Sequence, residues 1–199
     1  MAGLFKKLFI AVLVLVVLLL IVGFLLPAQF SAERSLTIKA PAAKVFPHVN
    51  RLKSWEAWSP WNTEKDPTLK FTYAGPEEGI GASYDWEGDP DTMGTGTLKI
   101  TKSEPNKLVE YTLIVEGFKG IGRVQFAEAN GETTVTWTSE ADAGSNVLFR
   151  FFGLFYDSML GPFFEEGLAS LKGIAEGTGK PKAGTPENAA TPENAKAGG

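Results

Sequence analysis

The 199-residue sequence predicts an α+β fold: a curved seven-stranded antiparallel sheet wrapped on a long C-terminal helix, preceded by an N-terminal transmembrane helix. Three observations predict it. Leu8 to Leu26 is an apolar run with Gly23 its only exception; seven segments between residues 35 and 140 alternate apolar and polar side chains; and Asn146 to Ile174 is apolar at helical spacing.

The first element is the apolar run. At a rise of 1.5 Å per residue it reaches about 28 Å, the thickness of a bilayer's hydrocarbon core. A cleaved signal peptide has a shorter apolar core and a small-x-small cleavage site. Here the exit Leu25-Leu26-Pro27-Ala28-Gln29-Phe30-Ser31-Ala32 would place Leu26 or Phe30 at the minus-three position, so an uncleaved anchor over residues 8–26 is favoured. Lys6 and Lys7 precede the run and no Lys or Arg follows until Arg34, which puts residues 1–7 in the cytoplasm and the rest outside the inner (plasma) membrane, in a periplasmic or extracellular space. The chain has no cysteine, which suits an oxidising compartment.

The strands follow from period-two alternation. Leu36 and Ile38 mark the first, Leu69, Phe71 and Tyr73 the second, Ala82, Tyr84 and Trp86 the third, and Leu98 and Ile100 the fourth. Val109, Tyr111, Leu113 and Val115 form one row of the fifth; Val124 and Phe126 mark a weaker sixth; Val135 and Trp137, flanked by Thr134, Thr136 and Thr138, mark the seventh. One dry and one wet face is the signature of antiparallel strands. Turn residues separate them at Gly75-Pro76, Gly88-Asp89-Pro90-Asp91, Pro105-Asn106 and Asn130-Gly131. Two regions are helical instead: Pro41 to Trp58, with Pro47 expected to interrupt it, and Asn146 to Ile174, with a break expected near Gly161-Pro162. The second is the one element long enough to cover the concave face of the sheet.

Residues 176–199 change to Gly, Pro, Thr, Glu, Asn and Ala, with Thr185-Pro186-Glu187-Asn188-Ala189 repeated as Thr191-Pro192-Glu193-Asn194-Ala195, and are expected to be a disordered tail. That leaves a domain at residues 30–175. Pro27 to Ala175 holds 14 Lys+Arg and 20 Asp+Glu, a balance that disfavours nucleic acid as a partner. With no cysteine and one histidine the chain lacks a thiol nucleophile and the usual zinc sets. Asp85-x-Glu87-x-Asp89-x-Asp91 alternates like a calcium loop, but Gly96 stands where the closing glutamate belongs, so a solvated face is the better reading. His48 has no Ser-His-Asp spacing around it, and Gly79-x-Gly81 and Gly94-x-Gly96 read as hairpin glycines without a following helix. No metal, cofactor or catalytic residue is expected.

The order of elements resembles the helix-grip fold of the START-like superfamily, which includes polyketide cyclase/dehydrase-like (SRPBCC) proteins. The stretch Ile38-Lys39-Ala40-Pro41-Ala42-Ala43-Lys44-Val45-Phe46 is similar to that family's first strand running into its first helix. Trp55-Glu56-Ala57-Trp58-Ser59-Pro60-Trp61 is similar to the Trp-rich segment of bacterial membrane-anchored members, and Gly161-Pro162-Phe163-Phe164-Glu165-Glu166-Gly167-Leu168 to their closing helix. The resemblance implies a cavity between sheet and last helix that holds an apolar small molecule.

The expected function is therefore membrane-anchored binding of an apolar small molecule or lipid, without covalent chemistry. The expected cavity residues are Tyr84, Trp86, Tyr111 and Trp137 from the sheet and Phe149, Phe152 and Met159 from the helix. Trp55, Trp58 and Trp61, three residues apart, would share a face of a helical turn, either as core plugging one end of the sheet or as a ligand gate or membrane-facing rim. Two other classes compete. A cyclase or dehydratase would need a tyrosine or His48 as general acid, and an envelope protein-interaction module would dock a partner on the Trp-rich edge.

Overall fold

The computed structural model describes residues 2–179. Its elements are α1 (Ala2–Leu25), β1 (Gln29–Ile38), α2 (Ala42–Asn50), a 3-10 helix (Leu52–Ala57), β2 (Lys70–Ala74), β3 (Ser83–Glu87), β4 (Thr95–Glu104), β5 (Leu108–Val115), β6 (Phe118–Ala129), β7 (Glu132–Asp142) and α3 (Val147–Glu176). The seven strands form one antiparallel sheet in the order β1-β7-β6-β5-β4-β3-β2, with α3 against its concave face. Of the tail expected at residues 176–199, residues 180–199 lie outside the described residues.

Alternation puts the polar rows outward. Ser35 and Thr37 of β1 meet Thr136 and Thr134 of β7 through hydroxyl pairs of 2.8 and 3.1 Å, and Arg123 of β6 bridges Glu110 of β5 and Glu140 of β7. The inner rows bury Ile38, Leu98, Ile100, Val109, Val124, Val135 and Trp137. Val45, Val49 and Leu52 close over one end of this face, where the second half of α3 adds Phe164, Leu168, Leu171 and Ala175. Asn130-Gly131, both at positive φ, turns β6 tightly into β7.

Two expected breaks do not occur. α2 runs through Pro47 to Asn50; Pro47 is exposed, and its carbonyl accepts the Arg51 N–H at 3.2 Å to close the last turn. α3 runs through Gly161-Pro162 without interruption. The reason lies on β1: the Arg34 guanidinium donates to Asp157, one turn before the pair, and to Glu165, one turn after it, both at 2.8 Å. The clamp spans the point where Pro162 removes a backbone donor. A side chain at position 161 would collide with the guanidinium, which explains the glycine. Glu176, assigned to the tail from sequence, instead ends α3 and accepts the Lys39 backbone N–H at 2.6 Å. Gly177 then terminates the helix in the left-handed conformation.

Gly96, read as a hairpin glycine, lies inside β4 opposite Trp86 of β3, and its missing side chain makes room for the indole. The acidic stretch near it is organised by a residue outside it. Asp66 is buried and accepts four hydrogen bonds: from the Thr68 N–H and hydroxyl at 2.9 and 2.6 Å, the Asp89 N–H at 2.8 Å and the Thr92 hydroxyl at 2.9 Å. These tie the segment before β2 to the β3–β4 hairpin. The Thr68 hydroxyl first, then the N–H groups of Asp89 and Thr68 and the Thr92 hydroxyl, hold the carboxyl near a pKa of about 2, below its ordinary 3.8. A lowered folded-state pKa gives stability that is present above 3.8 and lost as pH falls through about 2. The difference in thermal midpoint between the native chain and Asp66→Asn is therefore expected to shrink as pH falls across that window; a difference independent of pH would contradict this role.

Candidate functional site

The interior of the domain is unevenly filled. Buried α3 residues concentrate in its second half, from Gly161 to Ala175, with Tyr156 the single one before it. Beside the first half lies a cavity of about 430 Å³ between sheet and helix. Trp137 forms the partition. Its ring stacks on Phe164 of α3 at 4.4 Å and meets Trp58, Trp55 and Trp61 edge-on at 5.2, 6.0 and 6.1 Å, with the edge of α3 notched at Gly167 to admit it.

Of the residues expected to line a cavity, Tyr84, Trp86, Tyr111, Trp137, Phe149 and Phe152 do so. Met159 does not. On α3 the lining residues are Phe149, Phe152, Tyr156, Leu160 and Phe164, and Met159 falls one position off that row, towards solvent. The three tryptophans divide. Trp58 is core, with its indole N–H donating to the His48 carbonyl at 3.0 Å; Trp55, which donates to the Val49 carbonyl at 2.8 Å, is core and also lines the cavity. Trp61 lines the cavity from its margin and stacks on Phe163 at 5.4 Å. His48 is not among the lining residues, and burial, followed by the charges of Lys44 and Arg51, pushes its pKa down.

Sequence reasoning missed Leu98, Leu113, Phe118, Tyr156, Leu160 and Ser139 in the lining. Leu113 could have been found, since it shares a row with Tyr111. Ser139 shares the inward row of Val135 and Trp137, but a serine there carries no apolar signal to mark it as lining. Register explains how two large rings fit: Tyr111 of β5 lies opposite Gly122 of β6, as Trp86 lies opposite Gly96, and each ring covers the space its glycine leaves.

The cavity is apolar apart from a few hydroxyls. Trp137 Nε1 donates to the Tyr111 hydroxyl at 2.8 Å, and Ser139 Oγ pairs with the Tyr156 hydroxyl at 2.8 Å. The Tyr84 hydroxyl, on a residue only 8% exposed, has no hydrogen-bond partner among the described residues. The protons of Tyr84 and Tyr111, and one from the Ser139–Tyr156 pair, are thus available to a molecule inside. Burial is the main cause that pushes all three tyrosine pKa values up, so they stay protonated donors across the physiological range. Among the described residues no cluster of His, Asp and Glu could hold a metal ion.

Sheet, closing helix and aromatic-lined cavity define a helix-grip domain with an apolar interior cavity. Residues 29–176 match the sequence model of the family described as polyketide cyclase / dehydrase and lipid transport, and the chain belongs to that family. Comparison with curated protein sequences gives no match. Similar solved structures include a protein from Thermobifida fusca at 19% identity, covering 74% of this chain and 94% of that one with a TM-score of 0.56. Norcoclaurine synthase from Thalictrum flavum is 12% identical, with 73% and 92% covered and a TM-score of 0.55. A protein from Chromobacterium violaceum is 10% identical, with 73% and 96% covered and a TM-score of 0.53. At these identities the likeness is one of fold.

The hydroxyls separate two kinds of substitution. Tyr111→Phe strands the buried Trp137 N–H and is expected to cost about 1–3 kcal/mol in chemical unfolding, whereas Tyr84→Phe removes a hydroxyl with no partner and leaves stability unchanged or higher. Equal losses from both would mean that the Tyr84 hydroxyl is satisfied in the empty protein.

Proposed function

We propose that this protein is a membrane-anchored binding protein for an apolar small molecule or lipid that carries a hydrogen-bond acceptor, and that it performs no covalent chemistry on it. One observation carries the reading: a cavity of about 430 Å³, walled by aromatic and aliphatic side chains, whose lining includes the hydroxyls of Tyr84 and Tyr111 with no acceptor for their protons among the described residues. That volume falls in the ~300–1,000 Å³ range of small-molecule sites. The donors suit a carbonyl, ether or hydroxyl oxygen. Glu116 at the margin, which accepts from the Thr95 N–H and hydroxyl, disfavours an anionic head. A ligand burying ~300 Å² of apolar surface gains about 7 kcal/mol before the cost of association, which sets micromolar affinity as the upper limit.

The family's description also names cyclases and dehydrases, and the norcoclaurine synthase likeness shows that the fold accommodates an enzyme. Binding is favoured here because burial pushes the pKa of the cavity tyrosines up, which makes them weaker acids, and His48 lies outside the lining. The anchor is α1. Gly3–Leu25 is long and apolar enough to cross a membrane, and nearly all of it is exposed along its length. We place the N-terminus in the cytoplasm and the domain in the periplasmic or extracellular space, on the strength of Lys6 and Lys7 before the span.

Native mass spectrometry of the full chain released from detergent is expected to show one apolar adduct per chain. Leu113→Trp, which fills the cavity from β5, is expected to lose the adduct while keeping the native circular dichroism spectrum. A native chain that is always empty, or an adduct retained in the folded variant, would overturn the reading.

A further inference from the structure

The first half of α3 is apolar on almost every side, yet little of it is buried. Leu148 is 79% exposed, Leu154 59%, Phe155 61% and Met159 47%, while Phe149 and Phe152, each more than a third exposed, also line the cavity. Both charged residues before Pro162 are paired, although Asp157 keeps 56% of its side chain exposed. Arg150 turns its guanidinium onto the carbonyls of Phe24, Leu26 and Gly144, at 2.7 to 3.2 Å, and Asp157 is held by Arg34. A helix that is hydrophobic all round belongs in a core or in lipid, and this half is not in the core.

Its position relative to α1 indicates which. Gly23 is buried where the rest of α1 with a described side chain is exposed, and a methyl group there would collide with Val147 and Phe151 of α3. Gly23 stands three residues before the end of the apolar run, about 4.5 Å along the helix axis. A side chain that touches Gly23 of a spanning helix is at the depth of its last turn. The first turn of α3 is therefore set at the hydrocarbon boundary by its contact with the anchor.

We propose that the N-terminal half of α3 lies in the outer surface of the bilayer, with Leu148, Leu154, Phe155 and Met159 among the lipid, so that the cavity opens beside Phe149 and Phe152 onto the membrane and takes its ligand from there. The partner is a lipid surface, engaged through apolar area rather than charge, because the face carries no basic cluster and the domain is acidic. The proposal rests on α1 spanning the membrane, and its test separates the two.

The chain has no cysteine, so single cysteines can be introduced one at a time and labelled with an environment-sensitive fluorophore in the full chain, reconstituted in phosphatidylcholine liposomes. Val16→Cys reports on the anchor, Leu154→Cys and Phe155→Cys on α3, and Glu132→Cys on the distant β6–β7 turn. Lipid-borne nitroxide is expected to quench positions 16, 154 and 155 several-fold more than 132, with aqueous iodide showing the reverse. Quenching at 16 while 154 and 155 respond to iodide like 132 would overturn membrane docking and leave the anchor standing. Protection of 154 and 155 from both quenchers would mean that protein, such as a second copy, covers the face, and would equally overturn it. An unquenched position 16 would remove the anchor reading and the docking with it.

Discussion

Everything in the domain is arranged around the stacking of Trp137 on Phe164. The contact joins the sheet to α3, and the 3-10 helix and the turn after it bring Trp55, Trp58 and Trp61 to the same ring. One aromatic junction thus holds together three parts of the chain that are far apart in sequence. It also sets a boundary. On one side aliphatic residues of β1, α2 and late α3 are buried in one cluster; on the other the rings of Tyr84, Trp86 and Tyr111 line the walls without filling the space between them. The Trp137 N–H, satisfied by the Tyr111 hydroxyl, fixes the indole's orientation and so the position of the partition.

The fold was legible because its main force is legible. Dry and wet rows along each strand follow from period two, and Trp137 between Val135 and Ser139 was identifiable as inward-facing from its threonine neighbours alone. The site was legible only where an inward row coincided with an aromatic residue. What escaped depends on contacts between distant residues. Nothing local marks Arg34 as the clamp that carries α3 past Pro162, since its partners lie more than 120 residues away. Asp66 carried a local signal, an Asp two residues before Thr68, but its role in holding the β3–β4 hairpin required Asp89 and Thr92 to come back to it. Gly96 and Gly122 look like breakers in sequence and are seats for rings in the sheet; only the register reveals the difference. The first half of α3 was expected to cover the sheet and line the cavity through Phe149, Phe152 and Met159, an expectation that did not register that its apolar residues occupy too many faces for one side to bury.

α3 accordingly does two jobs along one axis. Its second half is a core helix, capped by Gly177 and tied to β1 through Glu176 and Lys172. Its first half is a wall with a wet or lipid-facing exterior, and the Asn146 side chain caps its start by accepting the Phe149 N–H. The cavity lies beside the less firmly packed half, where local opening costs least and leaves the core undisturbed.

Only Leu26, Pro27 and Ala28 separate α1 from β1, and that connection is not slack: the Ala28 carbonyl accepts the Ala143 N–H at 2.8 Å and Arg150 holds Leu26. Three residues fully extended span about 10 Å. Mounted in a bilayer on such a stub, the domain has no lever arm. Under the anchoring proposed above it could not swing out to meet a distant membrane or a soluble partner, as a domain on a long tether could; whatever it meets would have to reach it at the bilayer surface.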